Sequence, residues 1–167
     1  MRLFTAIEVP ETVHAEVART QAALRAEGHR ARWTRPSQAH ITVHFLGEQA
    51  DQVLPEIQAS LAAACRGLAP VALTVRDLGS FRGGVLWLGV AGDLGSLERV
   101  CREALGLEGG PYHPHVTLAR AFHGQLPALA PSGHDFTASV LTLFRSELKL
   151  DGAVHHVVAR FPLGQPF

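Results

Sequence analysis

Pro114-His115-Val116-Thr117-Leu118-Ala119-Arg120 and His40-Ile41-Thr42-Val43-His44-Phe45-Leu46-Gly47 decide how this chain reads. Each contains His, an apolar residue, Thr and an apolar residue in succession, and each has the β-branched, alternating character of a short strand. Side chains on a strand alternate faces with a period of two. His40 and Thr42 therefore share one face while Ile41 and Val43 share the other, and His115 and Thr117 repeat the arrangement. Each strand spends its apolar residues on a core and presents an imidazole and a hydroxyl on its other side. With ten His and nine Thr in 167 residues, His-x-Thr is expected by chance about 0.5 times, and roughly 0.1 times once apolar residues are required at both other positions. Two copies point to a shared task.

Composition bounds that task. A chain of 167 residues can bury a substantial core but is short for two independent domains, so residues 1–167 are expected to form a single two-lobed domain. Apolar residues at 47% and charged residues at 18% describe a soluble globular protein without disorder. No run approaches the ~18 apolar residues of a membrane span, and the N-terminus carries no signal-peptide pattern. The expectation is a cytoplasmic monomer with no membrane partner. A net charge of zero argues against gripping a long duplex through many phosphates, but leaves room for a pocket that takes one nucleotide or one RNA end. Fourteen of the fifteen basic residues are Arg, a side chain suited to bidentate phosphate contacts, although genome bias accounts for most of them. Cys65 and Cys101 are isolated and fall in predicted helices, which reads as reduced, buried thiols.

Taken in order, the pattern predicts a strand over Leu3–Val9 and a helix over Glu11–Glu27 with Val13, Val17 and Leu24 on one face. The first His strand ends at Gly47. Asp51 is a plausible N-cap for a helix to about Arg66, with Leu54, Ile57, Leu61 and Cys65 inward. Val71–Phe81 and Val85–Val90 read as a hairpin about Arg82-Gly83-Gly84. A third helix over Asp93–Leu105 and the second His strand follow. Phe136–Leu148 and Val154–Phe161 read as a final antiparallel pair turning near Asp151-Gly152. Strand, helix, His strand thus occurs twice, with the motif histidines 75 positions apart. An internal duplication follows: an α+β fold of two pseudo-symmetric antiparallel sheets, each backed by helix.

The paired motifs resemble the two H-x-T-x motifs of the 2H phosphoesterase superfamily, and their surroundings resemble its RNA 2′,3′-cyclic phosphodiesterase branch, also called 2′-5′ RNA ligase-like. The likeness runs end to end. It includes Met1-Arg2-Leu3-Phe4-Thr5-Ala6-Ile7, Arg32-Trp33 with Arg35-Pro36, Phe45-Leu46-Gly47, Arg120, Leu143-Phe144-Arg145-Ser146-Glu147-Leu148 and Ala159-Arg160-Phe161-Pro162-Leu163. The resemblance implies a bilobal fold with the motif strands facing one another across a central cleft.

Histidine titrates near neutrality, so one neutral and one protonated ring can coexist and act as base and acid in a single step. Opening a cyclic phosphodiester needs such a pair. Thr42 and Thr117 can hydrogen-bond the non-bridging phosphate oxygens. The resemblance implies His40 as proton donor and His115 as proton acceptor, roles the local sequence does not assign. It also implies substrates among RNA ends or nucleotides bearing a 2′,3′-cyclic phosphate, hydrolysis to a 2′-phosphomonoester, reversible 2′-5′ ligation and no cofactor. Arg120 is a candidate phosphate clamp, yet strand parity sets it opposite His115 unless the strand ends or bulges first. Trp33, Tyr112 and Phe122 flank the motifs and could stack on a base, although packing is the commoner job for each. His44 and His113 share faces with the motif residues by parity, so His40, His44, His113 and His115 make an alternative zinc site. A non-catalytic RNA-end-binding module is the other alternative. His14, His29, His123, His134, His155 and His156 are assigned to surfaces or loops.

Overall fold

The strands form where apolar residues alternate, and the helices form where they recur at helical spacing. In a computed structural model of the protein, residues 1–164 are described, and the order along the chain is β1 (Arg2–Glu8), α1 (Glu11–Ala26), β2 (Arg32–Trp33), a 3-10 turn (Pro36–Gln38), β3 (His40–Glu48), a 3-10 turn (Asp51–Val53), α2 (Leu54–Arg66), β4 (Val71–Phe81), β5 (Val85–Ala91), α3 (Leu94–Ala104), β6 (His115–Arg120), β7 (His134–Ala138), β8 (Val140–Lys149) and β9 (Gly152–Pro162). No helix among these residues is long and apolar enough to cross a membrane. The hairpin between β4 and β5 turns on Gly83 and Gly84, whose φ of +91° and +88° suit residues without a Cβ. Asp93 caps α3, accepting from the Ser96 N–H at 3.2 Å.

All pairings are antiparallel, and the sheet runs β7-β4-β5-β6-β3-β1-β8-β9, with β2 pairing β6 off that path. Two four-strand halves are thus arranged about the two motif strands, which meet at the centre through Ile41 and Val116. The chain itself dictates the curl. β7 and β8 stand six strand spacings apart in the order, about 29 Å if the sheet were flat. Only Ser139 separates them in sequence, a reach of about 7 Å. The sheet must therefore bend round, and it forms a curled half-barrel.

Its two faces have separate apolar clusters. One face packs Leu3, Ile7, Ile41, Val43, Leu86, Leu88, Val116, Leu118, Leu141 and Leu143 against Val13, Val17 and Leu24 of α1, Ile57 and Leu61 of α2, and Leu94 and Leu97 of α3. The other carries a small cluster of Phe4, Ala6 and Phe144. Burying the first face removes most of the large apolar side chains from water, the main driving force for the fold. Cys65 and Cys101 are free and buried where α2 meets α3.

Three expectations need correction. Asp51 starts a 3-10 turn, and α2 begins at Leu54 with no side-chain cap. The stretch Phe136–Leu148 is two strands with different neighbours: β7 pairs β4 and β8 pairs β1. Ser139 breaks the ladder, its carbonyl accepting the Leu163 N–H at 2.9 Å. Arg32–Trp33, expected only as flanking sequence, pairs with Arg120 and Ala119.

Candidate active site

The Ile41–Val116 pair lies at the centre of a local two-fold. Extending this antiparallel register by one residue either way sets His40 toward Thr117 and Thr42 toward His115. The two rings are held alike. His40 Nδ1 lies 2.9 Å from the Gln38 carbonyl and His115 Nδ1 lies 2.8 Å from the His113 carbonyl. A carbonyl only accepts, so each Nδ1 carries the proton and each Nε2 is left free to gain or lose one. His40 Nε2 is 3.1 Å from the Thr42 hydroxyl.

Aromatic side chains wall the rings on the same face. Phe4 lies 5.1 Å from His40 and stacks on Phe144 at 5.2 Å. Phe81 meets His115 edge-on at 4.9 Å, and Trp87 lies 4.7 Å from His113. Trp87 can lie there because Gly79, its cross-strand partner, has no side chain: a Cβ at Gly79 would sit 2.1 Å from the indole. Burial pushes the His40 ring down to about 4, against the opposing bond to Gln38, and the charges of His155, His115 and Arg120 act in the same direction as burial. His115 is also lowered, again by burial first, with the His113 carbonyl opposing and His113 and Arg120 adding to it.

Two bulges decide which other residues join the site. In β6, Leu86 pairs Ala119 and Trp87 pairs Thr117, so Leu118 is the extra residue. Its carbonyl, released from the ladder, accepts from the Thr34 N–H at 3.0 Å and Gln21 Nε2 at 2.9 Å, with the Thr34 hydroxyl also 3.0 Å away. The bulge reverses parity and returns Arg120 to the face of His115, where its charge acts on His40, His115 and His155. In β3, Thr5 pairs His44 and Ala6 pairs Thr42, so Val43 is extra. Thr5 Oγ1 accepts the His44 N–H at 3.2 Å. Here parity reverses the other way. His44 turns to the helix side and sits 3.2 Å from Glu98 of α3, while Phe45 turns to the His40 face, 5.8 Å from Phe4. The shared face expected for His44 is therefore wrong, and His40, His44, His113 and His115 do not converge as one cluster.

The flanking aromatics take up packing and tethering positions. Phe122 is 6% exposed within the core and offers no face to a base. Tyr112 donates its hydroxyl to the Thr42 carbonyl at 2.8 Å, tying the loop before β6 to β3. Trp33 packs beneath the Arg25 guanidinium, 5.0 Å from its centroid. Sequence reasoning missed Phe4, Phe81, Trp87 and Phe144, although strand parity with the motif face was the available signal. It also placed His155 and His134 at surfaces or in loops. His155 stands 5.2 Å from His40, and His134, on β7, donates to the buried Glu16 carboxylate at 2.8 Å.

A family model described as the 2′-5′ RNA ligase superfamily matches residues 9–151. The chain belongs to that superfamily. It is 32% identical to an RNA 2′,3′-cyclic phosphodiesterase of Thermus thermophilus, over 98% of this chain and 90% of the relative. It is also 32% identical to one of Thermotoga maritima, over 72% and 70%. Among solved structures, a Thermus thermophilus protein superposes with a TM-score of 0.86 at 30% identity, and E. coli LigT complexed with 3′-AMP with 0.83 at 25%, each over 98% of both chains. The two His strands lie at the centre of the sheet in this chain.

Proposed function

We propose that this protein is an RNA 2′,3′-cyclic phosphodiesterase that opens the ring to a 2′-phosphomonoester. The observation that carries the proposal is the pair of imidazoles on neighbouring strands, each anchored through Nδ1 by a carbonyl two residues upstream. The activity named for the relatives supports it, as does the binding of 3′-AMP by E. coli LigT.

In the proposed reaction His115 Nε2 takes a proton from water as the water oxygen attacks phosphorus. His40 Nε2 gives a proton to the ribose 3′-oxygen as the P–O3′ bond breaks. Thr42, Thr117 and Arg120 hold the non-bridging oxygens, where charge concentrates in the transition state. His40 is neutral in the free protein near pH 7, because burial and neighbouring cations oppose its charge. The substrate anion reverses that field and makes His40 a competent acid on binding. With a 5′-hydroxyl attacking phosphorus in place of water, the same step forms a 2′-5′ linkage as the P–O3′ bond breaks, and its reversal cleaves that linkage to the cyclic phosphate. No metal ion or other cofactor enters this scheme. The whole chain, 1–167, acts as one two-lobed domain, and both motifs come from it, so a monomer suffices.

The test is an oligonucleotide ending in a 2′,3′-cyclic phosphate, incubated with and without a chelator, with the product identified. A 2′-phosphate end formed in both conditions supports the proposal. No product from the intact protein refutes it, and activity lost on chelation and restored by zinc would favour a metal-dependent hydrolase.

A further inference from the structure

His155 belongs to β9, three strand spacings from β3 in the sheet order, yet its ring reaches 5.2 Å from His40 and meets it at 88°. The curl of the sheet brings them together. Phe4 supports both rings, at 5.1 Å from His40 and 4.9 Å from His155. Gln38 holds both residues with its two oxygens: the carbonyl accepts His40 Nδ1–H at 2.9 Å, and Oε1 accepts the main-chain N–H of His155 at 3.0 Å. His155 is thereby set at a fixed offset from a ring that moves protons in the proposed reaction.

Its two ring nitrogens have unlike surroundings. Nδ1 is enclosed and has no hydrogen-bond partner among the described residues, while the residue as a whole is only partly buried, which assigns the open edge of the ring to the Nε2 side. A proton on Nδ1 would bury an N–H without an acceptor, so the neutral ring keeps its proton on Nε2. That is the reverse of His40 and His115. Burial, and then the charges of His156 and Arg120, also oppose a second proton. His155 is therefore a neutral imidazole with one N–H on its open side.

We propose that His155 contacts the substrate, donating its Nε2–H to the nucleoside half of the cyclic phosphate on the outer side of His40. The direction rests on the function proposed above. If His40 protonates the 3′-oxygen, the ribose lies against His40 and phosphorus lies between His40 and His115. The next donor outward then meets a ribose or base acceptor. Phe45, 66% exposed and 5.8 Å from Phe4, offers an apolar surface on the same side, which suits a base.

Two variants separate the parts of the side chain. His155→Phe keeps a ring against Phe4 and removes the donor, whereas His155→Gln keeps an N–H donor. Calorimetry with adenosine 2′-monophosphate reads the contact without turnover, inorganic phosphate serves as a ligand without a nucleoside, and adenosine 2′,3′-cyclic phosphate reports KM and kcat. His155→Phe should weaken the nucleotide by about 10-fold, the scale of one lost hydrogen bond. It should raise KM similarly, leave kcat within about 2-fold and leave phosphate affinity unchanged, with His155→Gln restoring most of the loss. Unchanged nucleotide affinity would overturn the contact. Equal weakening of nucleotide and phosphate would move it to the phosphate, and a loss confined to kcat would make His155 act through His40; either result overturns the proposal as stated. Nitrogen-15 histidine spectra of the unmodified protein give an arm that does not depend on a variant folding: an Nδ1–H tautomer at His155 refutes the assignment. If the protein binds the nucleotide as expected but turns over no cyclic phosphate, the proposed function falls while the contact stands.

Discussion

His40 should respond strongly to an anion in the site. Its ring is held at about 4 against an ordinary 6.5, and one unit corresponds to 1.36 kcal/mol, so protonating it in the free protein costs about 3 kcal/mol more than in water. A single negative charge brought within about 4 Å contributes about 4 kcal/mol at an effective dielectric of 20, or about 3 units. Bound phosphate should therefore bring His40 back to about 7, where it can donate a proton at neutral pH. Titration of the histidine ring signals by NMR, with and without adenosine 2′-monophosphate, measures both values. His40 titrating at its ordinary value in the free protein would refute the burial argument. A ring that stays near 4 with ligand bound would refute the use of His40 as the acid.

Four further outcomes are expected. His40→Ala and His115→Ala should each slow hydrolysis by about 10² to 10⁴-fold, with the double variant losing less than the product of the two because they act as a unit; near-normal turnover in either single variant would break the pairing. A substrate with sulfur at the bridging 3′ position leaves without a proton, so it should rescue His40→Ala and not His115→Ala, and the opposite pattern would exchange their roles. Gly79→Ala should destabilise the protein by about 1–3 kcal/mol in urea denaturation, since its Cβ and the Trp87 indole cannot share one space; wild-type stability would mean that Trp87 is not held there. Between about pH 6.5 and 4 the unfolded chain binds a proton that folded His40 does not, so stability should fall as the pH falls through that window and level off below it. His115 and His155, also lowered, act with the same sign, and His40→Ala should flatten the dependence measured by urea midpoints.

The bulge at Leu118 depends on residues far from it in sequence. Gln21 of α1 and Thr34 in the segment after β2 reach its carbonyl across 97 and 84 positions. Without them that carbonyl would lose its partners, and the side of the sheet on which Arg120 emerges would not be held. The same holds in β3, where Thr5 of β1 receives the His44 N–H.

Sequence alone determined the elements and the motif face. Alternation of apolar residues made Ile41, Val43, Val116 and Leu118 core and left His40, Thr42, His115 and Thr117 on the other side, because each of these depends only on neighbours one or two residues away. Turn chemistry at Gly83-Gly84 was legible for the same reason. The tertiary structure decided what enters the site beside the motifs. Parity holds only while a strand is regular, and the bulges at Val43 and Leu118 are stabilised by hydrogen bonds from distant elements, so His44 left the face and Arg120 joined it without any local sign. The split of residues 134–149 between two parts of the sheet, and the approach of His155 to His40, follow from the curl of the whole sheet. That curl follows from the one-residue link at Ser139 only once the strand order is set, and that order is a pairing across the whole chain that no single stretch of sequence carries.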